Sequence, residues 1–442
     1  MNAIEKLKLI KSGKLSAEKN IRDFINKIKR EDKEYNSVLI INENAISEAK
    51  EIDKRKNKGK LAGLGVLVKS NICVKNLETN CASKTLEGWI APYDASVIKK
   101  IKEEDGIILG MTNMDEFASG GSGETSAFGL TKNPRNKELI PGGTSSGSAV
   151  SVALNFCDFA LGSDTGGSLR NPASHCGVIG VKPSYGLVSR YGLIDSAMSF
   201  DQIGVMANDV ETCSYALNII KGRDEKDSIS FSTKDFEIKK PGKIKIGVLK
   251  SDCDKNIKDL IDAKLKKIIS KNKWELKDVE LKYIDVGLQT YYIIVYTEFF
   301  SGTRKFDGRK FGKKIEDSCG EEVLRRILGG SEITKAEYGG RYYKKALEVK
   351  NLIKKEFEKA FKEFDCIISP TVPKLPHKLG TQITPKEMYD YDVLTVPSNL
   401  AGICAISLPA GNVKGIPVGL QIMCGSLEEG KLFSIAKEFE DN

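Results

Sequence analysis

The chain has 442 residues, 40% hydrophobic and 29% charged, enough apolar material to bury a large core. Lys and Arg outnumber Asp and Glu by 69 to 60 and are spread along the chain, which permits a polyanionic partner such as RNA without requiring one. Only two histidines occur, His175 and His377; metal sites built on several histidines are excluded, and any Ser–His or Cys–His mechanism must use one of the two.

Residues 1–55 read as a helical layer, in which Ser16 caps a helix with an apolar stripe of Ile21, Phe24, Ile25 and Ile28. Glu5 mixed with Lys6 and Lys8 does not read as a signal peptide. From 60 to 220 glycine becomes frequent and charge sparse. Leu64–Val68, Ile107–Gly110 and Phe159–Gly162 read as buried strands, Ala95–Glu103 and Ser146–Leu154 as helices. Residues 221–242 are polar and without periodicity, a surface connection. Lys245–Leu249 then restarts a strand, 256–271 an amphipathic helix, 339–364 a Lys-rich helix with a solvated face, and Asp365–Pro370 a further strand. The tail 394–425 returns to the Gly/Pro/apolar texture of the first block.

Strands alternating with helices predict an α/β fold with one large sheet covered on both faces. The expected division is one unit, 1–442, with a core at 60–220 and the rest of the sheet in 243–442. No apolar run is long and uncharged enough for a membrane span. The ten cysteines lie scattered without a C-x-x-C pair, the pattern of free thiols in a reducing cytosol.

Four stretches concentrate Gly, Ser and Thr in the least charged part of the chain: Lys69-Ser70-Asn71, then 119–126, 141–148 and 162–168. Such turns bring backbone N–H groups close to a ligand and supply hydroxyls. They do not match a phosphate cradle, because neither a Walker A sequence nor a convincing dinucleotide fingerprint is present. A literal G-x-S-x-G occurs at Gly143–Gly147, but its nucleophile elbow would need His175 or His377. The remaining chemistry is a serine nucleophile with a lysine base. A lysine can serve only when neutral, which requires burial. Lys69 closes the apolar run 64–68 and is either that base or a strand-end lysine reaching water. Ser168 closes Asp164-Thr165-Gly166-Gly167 and is either a helix cap or a nucleophile beside glycine N–H groups.

Lys69, PGGTSSGS at 141–148 and GSDTGGSLRNPASHCGVIGVKPSYG at 162–186 together resemble the amidase signature family. The segments 191–204, 290–312, 320–329, 370–381 and 389–411 are most similar to the A subunits of glutamine-dependent aspartyl/glutamyl-tRNA amidotransferases, archaeal forms especially. The likeness runs from about residue 35 to 435. It implies that the large sheet is mixed, and a Ser–cis-Ser–Lys triad with Ser168 as nucleophile and Lys69 as ultimate base. The bridging serine falls 24 residues before the nucleophile, where this chain has Thr144. Threonine keeps the relaying hydroxyl but adds a β-methyl, and Ser145 is the alternative relay. The backbone N–H groups of Thr165, Gly166 and Gly167 are the implied oxyanion donors.

By the same resemblance Tyr291, Arg326 and Asp392 read glutamine. A guanidinium suits its α-carboxylate and a carboxylate its α-ammonium. Without the resemblance, Arg326 is a helical cation facing Glu321 and Glu322. The implied activity is a glutaminase supplying ammonia for Asp-tRNA(Asn) or Glu-tRNA(Gln), and the implied location is the cytoplasm. The partners are a B subunit, which binds tRNA and uses ATP and Mg, and a small C subunit; this chain itself needs no cofactor or metal. A free-standing amidase for another small amide, and a catalytically silent chain with Thr144 as the lesion, are the alternatives.

Overall fold

A computed structural model describes all 442 residues. Its centre is an 11-stranded sheet. The strands are β1 (Val38–Ile41), β2 (Gly65–Lys69), β3 (Ile107–Thr112), β4 (Phe159–Asp164), β5 (Ile179–Lys182), β6 (Gln202–Ala207), β7 (Lys245–Leu249), β8 (Glu275–Val279), β9 (Cys366–Pro370), β10 (Cys404–Val413) and β11 (Ile416–Cys424). They lie in the order β1-β3-β2-β4-β6-β5-β10-β11-β9-β7-β8. β2 runs parallel to both β3 and β4, and β7 parallel to both β8 and β9; the other pairings are antiparallel. β5 and β6 of the first Gly-rich block thus meet β10 and β11 of the tail, and the middle of the chain extends the same sheet beyond β11.

The sheet is buried on both faces because successive residues of its strands point opposite ways. Cys404, Ile406, Ile422, Cys424 and Ile368 join the larger apolar cluster, together with the helices Lys255–Asn272 and Glu429–Glu440. Their neighbours Ala405, Met423 and Ile367 face the other way, into a second cluster. That cluster holds Tyr291 and Ile294 of the helix Gly287–Thr303 and Ile353 and Phe357 of the helix Arg341–Ala360. No helix is long and apolar enough to cross a membrane.

The strongly patterned expectations match closely. Ser16 caps the helix Ala17–Glu31 by accepting from the Lys19 N–H, and Ile21, Phe24, Ile25 and Ile28 are buried. The segment 1–55 is not wholly helical, however. Asp32 accepts from the N–H groups of Ser37 and Val38 and turns the chain into β1, which pairs with the free edge of β3. Four residues between two helices are too few for alternation to show. β8 (ELKDV) was hidden for another reason: it is an edge strand, exposed except at Val279, so it carries no apolar signal.

Candidate active site

β2 passes between β3 and β4 and is buried along its whole length. Lys69, its last residue, therefore emerges inside the protein; it is fully buried and does not reach water. Its Nζ lies 2.7 Å from Thr144 Oγ1 and 2.9 Å from Ser163 Oγ. Asn71 donates to the same Ser163 hydroxyl at 3.1 Å. Burial disfavours the ammonium and pushes the Lys69 amine down to about 7, against the opposing pull of the Asp115, Asp164 and Asp201 carboxylates. An amine so placed has a neutral fraction, and a lone pair, near neutral pH.

Thr144 follows a cis peptide bond from Gly143. A side chain at Gly143 would lie 1.9 Å from Asp115 Oδ2, so glycine is required for the close approach. Asp115 is buried and accepts from the N–H groups of Gly123 and Thr125, which fastens the 119–126 stretch beside the 141–148 stretch. Ser145 turns elsewhere. Its hydroxyl donates to the Ser163 carbonyl at 3.1 Å, and its N–H to the Ser168 carbonyl at 3.1 Å.

Both histidines sit apart from these hydroxyls. His175 is buried edge-on to Tyr391 and its imidazole is held neutral, down to about 3, by desolvation. His377 Nδ1 lies 2.9 Å from Tyr391 Oη. The G-x-S-x-G match therefore has no histidine to activate it.

β4 ends at Asp164, and the turn Thr165–Ser168 leads into the helix Arg170–Cys176. Ser168 is only 9% exposed. Thr165 donates to Asp201, whose other carboxylate oxygen accepts from the N–H groups of Ser196 and Ala197. Side chains are excluded at Gly166, where a Cβ would meet the Tyr291 phenol at 2.6 Å, and at Gly167, where it would meet Thr395 Oγ1 at 2.3 Å. The two glycines let Tyr291 and Thr395 close down on the turn. A buried strut holds it from behind: Arg170 binds both oxygens of Asp164 and also reaches Thr395, Ser398, Asn399 and Gln421.

The remaining three predicted residues come to the same place from the later half of the chain. Tyr291 stands against Gly166. Asp392 lies behind Gly167, where a Cβ would be 3.1 Å from Oδ1. It is 8% exposed, and burial, with Asp164 nearby, raises its carboxyl to about 7 against the pull of Arg326. Arg326, 2% exposed on the helix Glu321–Ile333, hydrogen-bonds through Nε to Glu322 at 3.0 Å, and its guanidinium lies 5.7 Å over the Tyr292 ring. The helical Glu322 contact read from the sequence is thus present, and the arginine is also buried over Tyr292, whose hydroxyl lies 3.5 Å from Asp392.

Sequence reasoning missed Ser163, Asn71, Asp115 and the Asp164–Arg170 strut. Asp164 and Arg170 flank the Thr165–Ser168 turn in the quoted motif, so their signal was there; Ser163 and Asn71 lay in stretches singled out for their texture, and Asp115, outside them, had none. No group of three or more His, Cys, Asp or Glu side chains is arranged to hold a metal ion.

The arrangement is a buried amine, two hydroxyls and a glycine turn, set beside a buried guanidinium and carboxylate. Known proteins are similar to this chain along its whole length. The "Amidase" family profile matches residues 19–433. The A subunit of the glutamyl-tRNA(Gln) amidotransferase of Methanocaldococcus jannaschii is 52% identical over 95% of this chain and 98% of its own. The crystal structure of the A subunit of the Thermotoga maritima glutamyl-tRNA(Gln) amidotransferase superposes with a TM-score of 0.88 at 37% identity, covering 100% of this chain and 94% of that one. The peptide amidase of Stenotrophomonas maltophilia gives a TM-score of 0.86 at 25% identity, covering 100% and 96%. The chain belongs to the amidase signature family.

Proposed function

We propose that this chain is the glutamine-hydrolysing component of a tRNA-dependent amidotransferase. The observation that carries the reading is a pair of buried ionisable groups, Asp392 behind Gly167 and Arg326 over the neighbouring Tyr292. Arg326 uses one of its five N–H donors on Glu322, and no ion pair joins it to Asp392. Beyond Glu322 the buried guanidinium has donors to spare, and buried Asp392 has no cationic partner, so a ligand that supplies a carboxylate and an ammonium relieves the cost of both. The α-carboxylate and α-ammonium of a free amino acid do so, and an amidase for apolar amides has no use for the pair. The likeness to the A subunits of two such enzymes supports the same reading.

In this mechanism Ser168 Oγ attacks the side-chain carboxamide carbon of glutamine. Its proton passes through the Thr144 hydroxyl to neutral Lys69. The N–H groups of Thr165, Gly166 and Gly167 receive the oxyanion. The proton returns to the leaving nitrogen, ammonia departs, and a glutamyl ester remains on Ser168. Water, activated by the same relay, releases glutamate, so that glutamine and water become glutamate and ammonia. Thr144, and not Ser145, is the relay in this reading, because its hydroxyl is the one beside Nζ. That contact also argues against a catalytically silent chain.

Ammonia passes to a B subunit, which binds Asp-tRNA(Asn) or Glu-tRNA(Gln) and uses ATP and Mg, with a C subunit completing the complex in the cytoplasm. Residues 1–442 act as one unit that needs no cofactor of its own.

Ammonia release from L-glutamine, by the chain alone and with its B and C partners, tests the proposal. Ser168→Ala is expected to reduce release on the order of a thousandfold or more while sparing amidation driven by added ammonium. Glutamine hydrolysis retained in that variant would sink it.

A further inference from the structure

Arg326 and Asp392 arrive on different elements. Arg326 belongs to the helix Glu321–Ile333, and Asp392 to the turn after the short helix Pro385–Tyr389. A zwitterion has a fixed distance between its charges, so a clamp for it must hold its two halves at a fixed separation. A partly buried side-chain hydrogen bond joins the two elements. Tyr389 Oη donates to Glu322 Oε1 at 2.9 Å, and Arg326 Nε donates to that same oxygen at 3.0 Å. The other Glu322 oxygen accepts from Arg325.

The tyrosine is held on its remaining sides. Its ring stacks on Tyr292 at 4.0 Å, and its hydroxyl lies 2.7 Å from Tyr296 Oη. Tyr292 closes the circuit: the Arg326 guanidinium lies over its ring, and its hydroxyl is 3.5 Å from Asp392. Glu322 is itself buried, with 5% of its side chain exposed, and pairs with both Arg325 and Arg326, so its hydrogen bonds are charge-assisted and little screened.

We propose that Glu322 and Tyr389 are positioning residues: their hydrogen bond ties the Arg326 helix to the Asp392 turn, fixes the spacing of the two charges, and selects an α-amino acid amide over an amide lacking the zwitterion. The proposal rests on the glutaminase reading above. Neither residue touches the reacting atoms. Glu322 orients the arginine by consuming Nε–H, which leaves the Nη edge for the ligand carboxylate.

The test is steady-state ammonia release by the assembled wild-type complex and by Tyr389→Phe, Glu322→Gln and Glu322→Ala, with L-glutamine and with butyramide. Tyr389→Phe keeps the stacked ring and removes the hydroxyl, and with it the bonds to Glu322 and Tyr296. It is expected to raise KM for glutamine about tenfold with kcat within about twofold, and to leave kcat/KM for butyramide unchanged. Glu322→Ala, which also frees Arg326 Nε–H, is expected to raise KM at least as much as Tyr389→Phe, and Glu322→Gln, which retains Oε1 as acceptor, to recover most of the loss. An unchanged KM in Tyr389→Phe overturns the tie and leaves the glutaminase reading standing, as does an equal loss on both amides. A wild-type complex that hydrolyses butyramide but not glutamine overturns the glutaminase reading itself.

Discussion

Arg170 and Arg326 are both almost fully buried, at 0% and 2% exposure, yet their surroundings differ. Arg170 pairs bidentately with Asp164 and donates to four further oxygens drawn from residues 395–421. Arg326 makes one hydrogen bond, to a glutamate four residues away on its own helix. A saturated guanidinium is a structural strut, because nothing remains for a ligand to gain. An under-used one, in an equally dry place, keeps donors free for a ligand. The two ends of the site follow the same division: the Thr165–Ser168 turn is held by Tyr291, Thr395 and the Arg170 strut, while Arg326 and Asp392 are left without full partners.

Removing each arginine separates these roles. Arg170→Met leaves Asp164 buried without its partner and is expected to destabilise the fold by about 3–5 kcal/mol, measured by urea unfolding. Arg326→Met breaks the buried pair with Glu322, but that carboxylate keeps Arg325 and Tyr389, so the expected stability loss is smaller, about 1–2 kcal/mol, while KM for glutamine rises on the order of a hundredfold. Similar stability losses in both variants would erase the distinction.

The pH dependence sharpens it. Lys69 must be neutral to accept a proton, and burial sets it at about 7, so kcat is expected to fall as pH drops below that value, about tenfold per unit. Asp392 must be charged to hold an ammonium, and in the free enzyme it also lies at about 7. The kcat/KM limb is therefore expected to be steeper, on the order of a hundredfold per unit, whereas bound ammonium lowers Asp392 and leaves kcat reporting Lys69 alone. A kcat independent of pH between about 6 and about 8 would remove Lys69 from the role of base.

The smallest expected effect concerns the relay. Thr144→Ser should hold turnover within about fivefold, Ser145→Ala should do nearly as well, and Thr144→Ala should lose about a hundredfold or more. Ammonia release measured across the three decides the matter; an inactive Ser145→Ala beside an active Thr144→Ala would move the relay to Ser145.

Much of the fold was legible where the apolar pattern matched the element. Lys245–Leu249 coincides with β7, and 256–271 lies within the helix Lys255–Asn272. The helix Gly287–Thr303 was not read, because its sequence (GLQTYYIIVYTEFFSGT) packs apolar residues against both the sheet and neighbouring helices and so shows no single stripe. β5 was missed because it is only four residues long and includes a glycine.

By itself the sequence determined which residue types were available and where the chain would turn: a lysine at the end of an apolar strand, hydroxyls among glycines, and too few histidines for the usual bases. These are local properties, set by side-chain chemistry and spacing. Only the tertiary structure decided that Lys69 is dry, that Thr144 and not Ser145 lies at its amine, and that Tyr389 meets Glu322. Lys69 and Ser163 are 94 residues apart, and Glu322 and Tyr389 are 67 apart. Burial and contact across such separations depend on how the strands are ordered in the sheet, and no local pattern encodes that order.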